Sequence, residues 1–362
     1  MTRHAGAHGD AATVPARVLV MGPAWVGDMI MAQALFKTLR RTRHDVEIDV
    51  LAPGWSAPLL ARMPEVGEAL QVPLTHGRLS FRTRYRLGRE LAPRGYGQAL
   101  ILPRSFKAAL IPWFARIPRR TGYLGEARFG LINDRRALDR KAMPLMVQRY
   151  VALGLPPGAH MPPDQVPSPA LTVDAGNGLR LITQLGLSLD ARRIGLMPGA
   201  EYGPAKQWPP EYYAALAQRL AAEGVQTLVF GSHKDFELGE RIVALSGRGV
   251  NLCGKTRLQD AIDLLAQVNG AVTNDSGLMH VAAAVGVPLV AIFGSSTPAY
   301  TPPMSDRASV MYTGIECSPC FDRTCRYGHY RCLREISVAA VLKELWQLLS
   351  TTPKPCRGDT SF

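Results

Sequence analysis

Between Gly270 and Gly294 the chain reads Gly-Ala-Val-Thr, then Asn274-Asp-Ser-Gly-Leu-Met-His280, then an apolar stretch to Val285, a break at Gly286, and a second apolar run, Leu289–Phe293. That is a strand, a tight turn, a helix and another strand. Two buried strands joined through one helix lie parallel in one sheet, because an antiparallel pair is joined by a hairpin instead. A helix that starts where a strand ends leaves its first N–H groups unpaired, with the positive end of its dipole directed outward. Both features suit an anion, most often phosphate. His280, near the first turn, can add a donor. An ordinary Ser/Asp cap fits the same residues, so the segment sets the fold class before it sets a function.

The pattern recurs along the chain. Arg17-Val-Leu-Val-Met-Gly22 reads as a buried strand, followed by the turn Pro23–Asp28 and a helix with Met31, Leu35 and Leu39 on one face. Glu47–Ala52 and Gln98–Pro103 are further strands. From Leu155 to Pro169 six prolines (Pro156, Pro157, Pro162, Pro163, Pro167 and Pro169) mark a linker. Beyond it come a helix at Asn177–Leu185, a strand at Arg193–Pro198, a helix at Glu211–Glu223, a strand at Gln226–Phe230 and a helix at Phe236–Leu245. The expected fold is α/β: two doubly wound parallel sheets facing a cleft, with domains at 17–170 and 171–350 and loose tails at 1–16 and 351–362. Ligands of such sheets lie at the carboxyl ends of the strands. The turns after Gly22, Pro198, Phe230, Thr273 and Phe293 should therefore converge.

With 47% hydrophobic and 20% charged residues, the composition is that of a soluble globular enzyme. The uncharged run Val281–Gly294 is interrupted by Gly286 and Pro288 and is too short for a membrane span of about 20 residues. The first seventeen residues lack an apolar core, so the expectation is no secretory signal and a cytoplasmic protein with reduced thiols. The charge is uneven. Residues 1–175 hold 24 Lys and Arg against 13 Asp and Glu, whereas residues 176–362 hold 18 against 16. The excess runs through Arg78, Arg82, Arg84, Arg86, Arg89 and Arg94, then Arg104, Lys107, Arg116, Arg119, Arg120, Arg128, Arg135 and Arg136, with Phe81, Tyr85, Phe106, Trp113 and Phe114 interspersed. Such a half suits a nucleic acid or an anionic lipid surface, and a solvated basic face gives the same composition. No helix-turn-helix, zinc-finger or RNP pattern accompanies it, which argues against nucleic acid.

Gly22-x4-Gly27 has the glycine spacing of a P-loop, but Asp28-Met29 replaces the required Lys-Ser/Thr, and a carboxylate there repels phosphate. The Gly-x-Gly-x-x-Gly fingerprint is absent as well. Asp28 falls in the first turn of a helix, whose dipole favours an ionised carboxylate, suited either to capping or to taking a proton from a hydroxyl. In the second half Lys206 lies on the long loop Pro198–Pro209, where it is either a phosphate-directed point charge or a solvated lysine. Asp235 or Glu237, after the strand ending at Phe230, could accept hydrogen bonds from a ribose diol.

Gly27-Asp28, Pro198-Gly-Ala with Lys206-Gln-Trp-Pro, Gly231-Ser with Asp235 and Glu237, Asn274-Asp-Ser-Gly-Leu-Met-His280 and Phe293-Gly-Ser-Ser-Thr-Pro298 occur in the order seen in bacterial lipopolysaccharide heptosyltransferases. The chain resembles that family from about Val18 to Leu349. The resemblance implies a GT-B architecture, an inverting transfer with no required metal, and no nucleic-acid partner. It also implies an ADP-L-glycero-D-manno-heptose donor on the C-terminal domain, and a lipopolysaccharide inner-core acceptor on the N-terminal one. By this likeness Asp28 is the base. Lys206, Asp275, Ser276, Gly277, Leu278 and His280 surround the diphosphate, and Asp235 or Glu237 takes the ribose. Trp25, Arg104, Lys107 and Arg120 face the acceptor. The enzyme would work at the anionic cytoplasmic face of the inner membrane.

One segment stands apart from the best-known enterobacterial members. Cys317, Cys320, Cys325 and Cys332 fall within sixteen residues, with His329 nearby. Four reduced thiols, a structural zinc site and disulfide pairing all fit that spacing.

Overall fold

The computed structural model describes residues 16–72 and 79–351. Its first sheet is built from β1 (Arg17–Met21), β2 (Glu47–Pro53), β3 (Glu68–Val72), β4 (Gln98–Ile101), β5 (Arg119–Tyr123) and β6 (Asp134–Arg136), in the order β3-β2-β1-β4-β5-β6. The second is built from β7 (Arg193–Met197), β8 (Gln226–Val229), β9 (Val250–Asn251), β10 (Gly270–Asn274), β11 (Leu289–Phe293) and β12 (Ala308–Tyr312), in the order β12-β11-β10-β7-β8-β9. Every pairing is parallel. Counted from its own first strand, each sheet has the same doubly wound order, as the GT-B reading requires. The order reverses between β1 and β4 and again between β7 and β10. At such a reversal the loops leave for opposite faces of the sheet and open a crevice.

The central strands β1, β4, β7, β10 and β11 are buried nearly throughout, which is why their Val, Leu and Ile runs were visible as strands. No such run marks β3, β5, β6, β9 and β12. They are short or carry charged and polar side chains (Glu68 and Gln71; Arg119 and Arg120; Asp134 to Arg136) along sheet margins that are only partly covered. From Leu155 to Asp174 the Pro-rich connection forms no helix or strand. It is strapped to helix Val26–Thr42 by Gln33, which donates to the Ala170 carbonyl at 2.6 Å and accepts from the Ala170 N–H at 2.9 Å. Apart from Ala16 and Thr351, the tails expected at 1–16 and 351–362 lie outside the described residues, as does Arg78. No helix among the described residues is long and apolar enough to cross a membrane.

The two halves are joined by packing and by one buried ion pair. Helix Val26–Thr42 lies against Met146–Gly154 of its own half and Gly277–Ala284 of the other. The Arg62 guanidinium meets Asp263, which is fully buried, at 2.7 Å. The Asp263 carboxylate also accepts from the Asp174 N–H at 2.8 Å and the Asn177 amide at 2.7 Å. Removing one partner of a buried pair leaves the other charge uncompensated. Asp263→Ala is therefore expected to lower the unfolding free energy by about 3 kcal/mol in a urea titration. An unchanged midpoint would show that the pair carries no net stability.

Candidate active site

The two helices that begin at the sheet edges meet head to head. Helix Val26–Thr42 follows β1, and helix Gly277–Ala284 follows β10. Their glycines permit the contact. A Cβ on Gly277 would lie 2.9 Å from the Val26 Cβ, and one on Gly27 would lie 2.6 Å from the His280 ring. Asp28, in the first turn of its helix, is thereby held against the Asp275–Gly277 turn. It is only partly exposed, and burial pushes its carboxyl up to about 6, with Asp275 adding to the shift and Lys206 opposing it. Burial thus opposes the ionised form that a helix start favours. Desolvation here outweighs the helix dipole. A carboxyl near 6 can both hold and release a proton close to neutral pH, as a general base must.

Lys206, in the one-turn segment Pro204–Lys206 after β7, donates to Asp275 Oδ2 at 2.5 Å and lies 5.1 Å from the centre of the Tyr202 ring. Asp275 Oδ2 also accepts from the Ser296 hydroxyl at 2.5 Å. Asp275 is buried, so it holds Lys206 rather than presenting a bare carboxylate to an incoming anion. Asn274 ties this turn to the β7 loop, donating to the Pro198 carbonyl at 2.5 Å and accepting from the Trp208 N–H at 3.0 Å. His280 lies behind the turn. It is buried, desolvation lowers its imidazole to about 4, and it is packed beneath Gly27. Burial therefore favours the neutral imidazole, which keeps one N–H donor but carries no charge. Lys206, Asp275 and His280 border neither of the cavities described next.

The cavity on the C-terminal side has a volume of about 380 Å³ and is bordered by Ser276, Gly277, Leu278, Asp235 and the Gly199–Glu201 turn. Asp235 Oδ2 accepts from the Ser232 N–H at 2.8 Å and its hydroxyl at 2.7 Å. Glu237 is exposed and outside this cavity, so of the two candidate acids Asp235 is the one at the site. Thr256, Arg257 and Leu258 also border it. They went unnoticed in the sequence because the strand that delivers them, β9, is two residues long.

On the N-terminal side a cavity of about 670 Å³ is bordered by Asp28, Arg84, Arg104, Lys107, Arg140 and Arg149, together with Tyr300 from the other half. Trp25 borders both cavities and is 48% exposed. Arg84 is buried, donates to the carbonyls of Leu79 (2.6 Å) and Lys107 (2.9 Å), and has its guanidinium lowered by desolvation. Arg149 lies 5.0 Å from the centre of the Tyr300 ring and donates to the Met143 carbonyl at 2.9 Å. Arg120, expected here, lies elsewhere. Its guanidinium donates to the Leu131 and Ile117 carbonyls, both at 2.7 Å, and it borders a groove on the outer face. A strand arginine at a sheet margin found backbone acceptors nearer than the cleft.

Cys317, Cys320, Cys325, Cys332 and His329 surround a space of about 20 Å³. The Cys325 sulfur is 3.9 Å from His329 Nδ1. Burial raises the Cys332 thiol to about 11. Burial also works against the Cys325 thiolate, but the surrounding backbone N–H groups from Tyr327 to Tyr330 hold that thiol below its usual range. The cysteines are free, and among the described residues no three His, Cys, Asp or Glu side chains form a metal-ligating group. The geometry lends the candidate structural zinc no support.

Comparison with known proteins places these features in one family. A family model for glycosyltransferase family 9 (heptosyltransferase) matches residues 84–331. Lipopolysaccharide heptosyltransferase 2 of Salmonella typhimurium is 47% identical over 345 residues, spanning 92% of this chain and 99% of that protein. The Escherichia coli protein of the same name is 46% identical over 344 residues, 92% of this chain and 98% of its own. The solved E. coli ADP-heptose lipopolysaccharide heptosyltransferase II superposes with a TM-score of 0.84 at 44% identity, over 92% of this chain and 98% of that one. With two doubly wound sheets, cavities on either side of the Trp25–Asp28 turn and a family match over most of its length, the chain belongs to glycosyltransferase family 9, the heptosyltransferases.

Proposed function

We propose that the enzyme transfers L-glycero-D-manno-heptose from ADP-heptose to the first heptose of the lipopolysaccharide inner core, with inversion at the anomeric carbon. The observation that carries this reading is the junction at Asp28, a carboxyl near 6 on the large basic cavity, pressed against a helix start that borders the smaller one. Residues 17–170 take the acceptor, with Trp25, Arg104 and Lys107 beside Arg84, Arg140 and Arg149. Residues 171–350 take the donor. The amides of Ser276, Gly277 and Leu278 receive the diphosphate and Asp235 the ribose. As the acceptor hydroxyl attacks, Asp28 accepts its proton and the bond to ADP breaks. Lys206, moving from Asp275 to the departing diphosphate, balances the charge that grows there. Helix dipole and lysine fill the place a divalent cation takes in other transferases, so no metal is required. The assignment of the first core heptose as acceptor rests on the names of the relatives. A lipid-anchored acceptor places the reaction at the cytoplasmic face of the inner membrane.

The test is transfer from ADP-heptose to defined cores carrying zero, one or two heptoses. Product with the one-heptose core alone supports the reading, and transfer only to the unheptosylated core replaces it with addition of the first heptose.

The pH dependence follows from Asp28. The base works ionised, so kcat/KM should be level above about pH 7 and fall tenfold per unit below about 6, where the carboxyl protonates. A profile that stays flat from about pH 5 to about pH 8 would remove Asp28 from the role of base.

A further inference from the structure

Helices Phe81–Leu91 and Phe106–Phe114 pack closely; a Cβ on Gly88 would lie 2.4 Å from the Phe114 Cβ. One side of the pair belongs to the acceptor cavity, through Arg84, Lys107, Ala108 and Ile111. The other side has no partner among the described residues. There Phe81, Tyr85 and Trp113 remain 52%, 51% and 45% exposed, although all three rings meet Phe114 edge-on at 5.0–5.2 Å. Leu79 adds an exposed aliphatic side chain. Arg82, Arg86, Arg89 and Arg116 are exposed around this apolar knob. Arg86 has one weak, exposed contact, to Glu90 at 3.6 Å. Tyr85, Arg89, Trp113, Phe114, Arg116 and Arg120 enclose an open groove of about 530 Å³.

We infer that this face docks on an anionic phospholipid bilayer, with Phe81, Tyr85 and Trp113 at headgroup depth and the arginines on lipid phosphates. Large apolar side chains grouped on a monomer surface and rimmed by one sign of charge mark an interaction site. Aromatic rings with arginine beside them match the interfacial layer of a membrane, apolar below and anionic above. A single-stranded nucleic acid is a poorer fit. It needs ring faces set out one after another for stacking, whereas these rings lock together around Phe114, and it has no use for Leu79. The position also serves the chemistry, since the helices that would rest on the lipid are the wall of the cavity that receives a lipid-anchored sugar. The inference rests on the proposed acceptor only for that last point.

The experiment is co-sedimentation of the full chain with vesicles of phosphatidylcholine alone and of phosphatidylcholine mixed with phosphatidylglycerol, at low and high salt. Wild-type protein should bind the anionic vesicles, and high salt should release it. Arg82→Ser with Arg86→Ser and Arg89→Ser should weaken that binding roughly a hundredfold, each arginine near an anionic surface contributing about tenfold or less. Trp113→Phe should remove most of the tryptophan quenching by brominated lipid. Transfer to a soluble, deacylated acceptor should be unchanged in the triple-arginine variant, and Asp28→Ala should bind vesicles like wild type. Equal binding to both vesicle types, a triple variant that sediments like wild type, or preference for duplex DNA over vesicles would overturn the inference. Loss of transfer to the soluble acceptor in the wild-type protein would instead count against the proposed function and leave vesicle binding as an independent result.

Discussion

Asp28→Asn should lower kcat by about 10²–10⁴-fold, the usual worth of a positioned base, while making the protein more stable at neutral pH. The two effects share a cause. Burial holds the Asp28 carboxyl near 6 against an ordinary value of 3.8. A carboxyl raised on folding favours the native state when protonated, and that contribution is lost as pH rises through 6. Above that pH the ionised group costs stability on the order of 2 kcal/mol, allowing for its partial exposure to solvent. Asparagine carries no charge and avoids the cost. The melting temperature of the variant should exceed that of the wild type above pH 7, with the gap closing as pH falls toward 4. ADP binding should change little, because the proposed nucleotide site lies in the other half. Near-normal turnover would end the assignment of Asp28, and an unaltered melting temperature would show that its burial costs the fold nothing.

Lys206→Ala should reduce kcat/KM by roughly 10²–10³-fold, with weaker donor binding and slower transfer together. In the proposed mechanism one charge supports both the bound diphosphate and the leaving group. The variant also strips Asp275 of a partner at 2.5 Å, leaving a buried carboxylate held by Ser296 and nearer to an incoming anion. Lys206→Ala with Asp275→Asn should therefore recover part of the donor affinity and little of the turnover, which separates repulsion by Asp275 from loss of the lysine. In the wild-type enzyme a chelator should leave activity intact. Complete loss restored by magnesium would assign the diphosphate to a metal and dismiss Lys206 from that task.

What the sequence revealed and what it concealed divide along physical lines. The buried central strands and the turns at their carboxyl ends were legible, since Val, Leu and Ile runs ending in Gly-Asp or Asp-Ser-Gly leave few other arrangements. Margin strands such as Asp134–Arg136 were not, because one partly covered side tolerates charge. Asp28 was visible as a helix-start acid. That burial would raise it to about 6 was not, since its neighbours Lys206 and Asp275 come from the other half of the chain. The charge run from 78 to 136 read as one basic surface. In space it separates into Arg84, buried in the cavity wall on backbone carbonyls; Arg120, spent on carbonyls away from it; and the exposed Arg82, Arg86 and Arg89. Helical phase decides between these fates, and a count of charges does not contain it.

The contact of Val26 and Gly27 with Gly277 and His280 has a mechanical consequence. When one half of the molecule turns relative to the other about a point, each atom travels in proportion to its distance from that point. For a turn about this contact, that point lies beside Asp28. Such a rotation sweeps outlying cavity residues such as Arg257 and Arg140 through long arcs. The carboxyl and the amides at 276–278, on short radii, stay nearly still. Substrates can come and go while the spacing of the groups that act on them is kept.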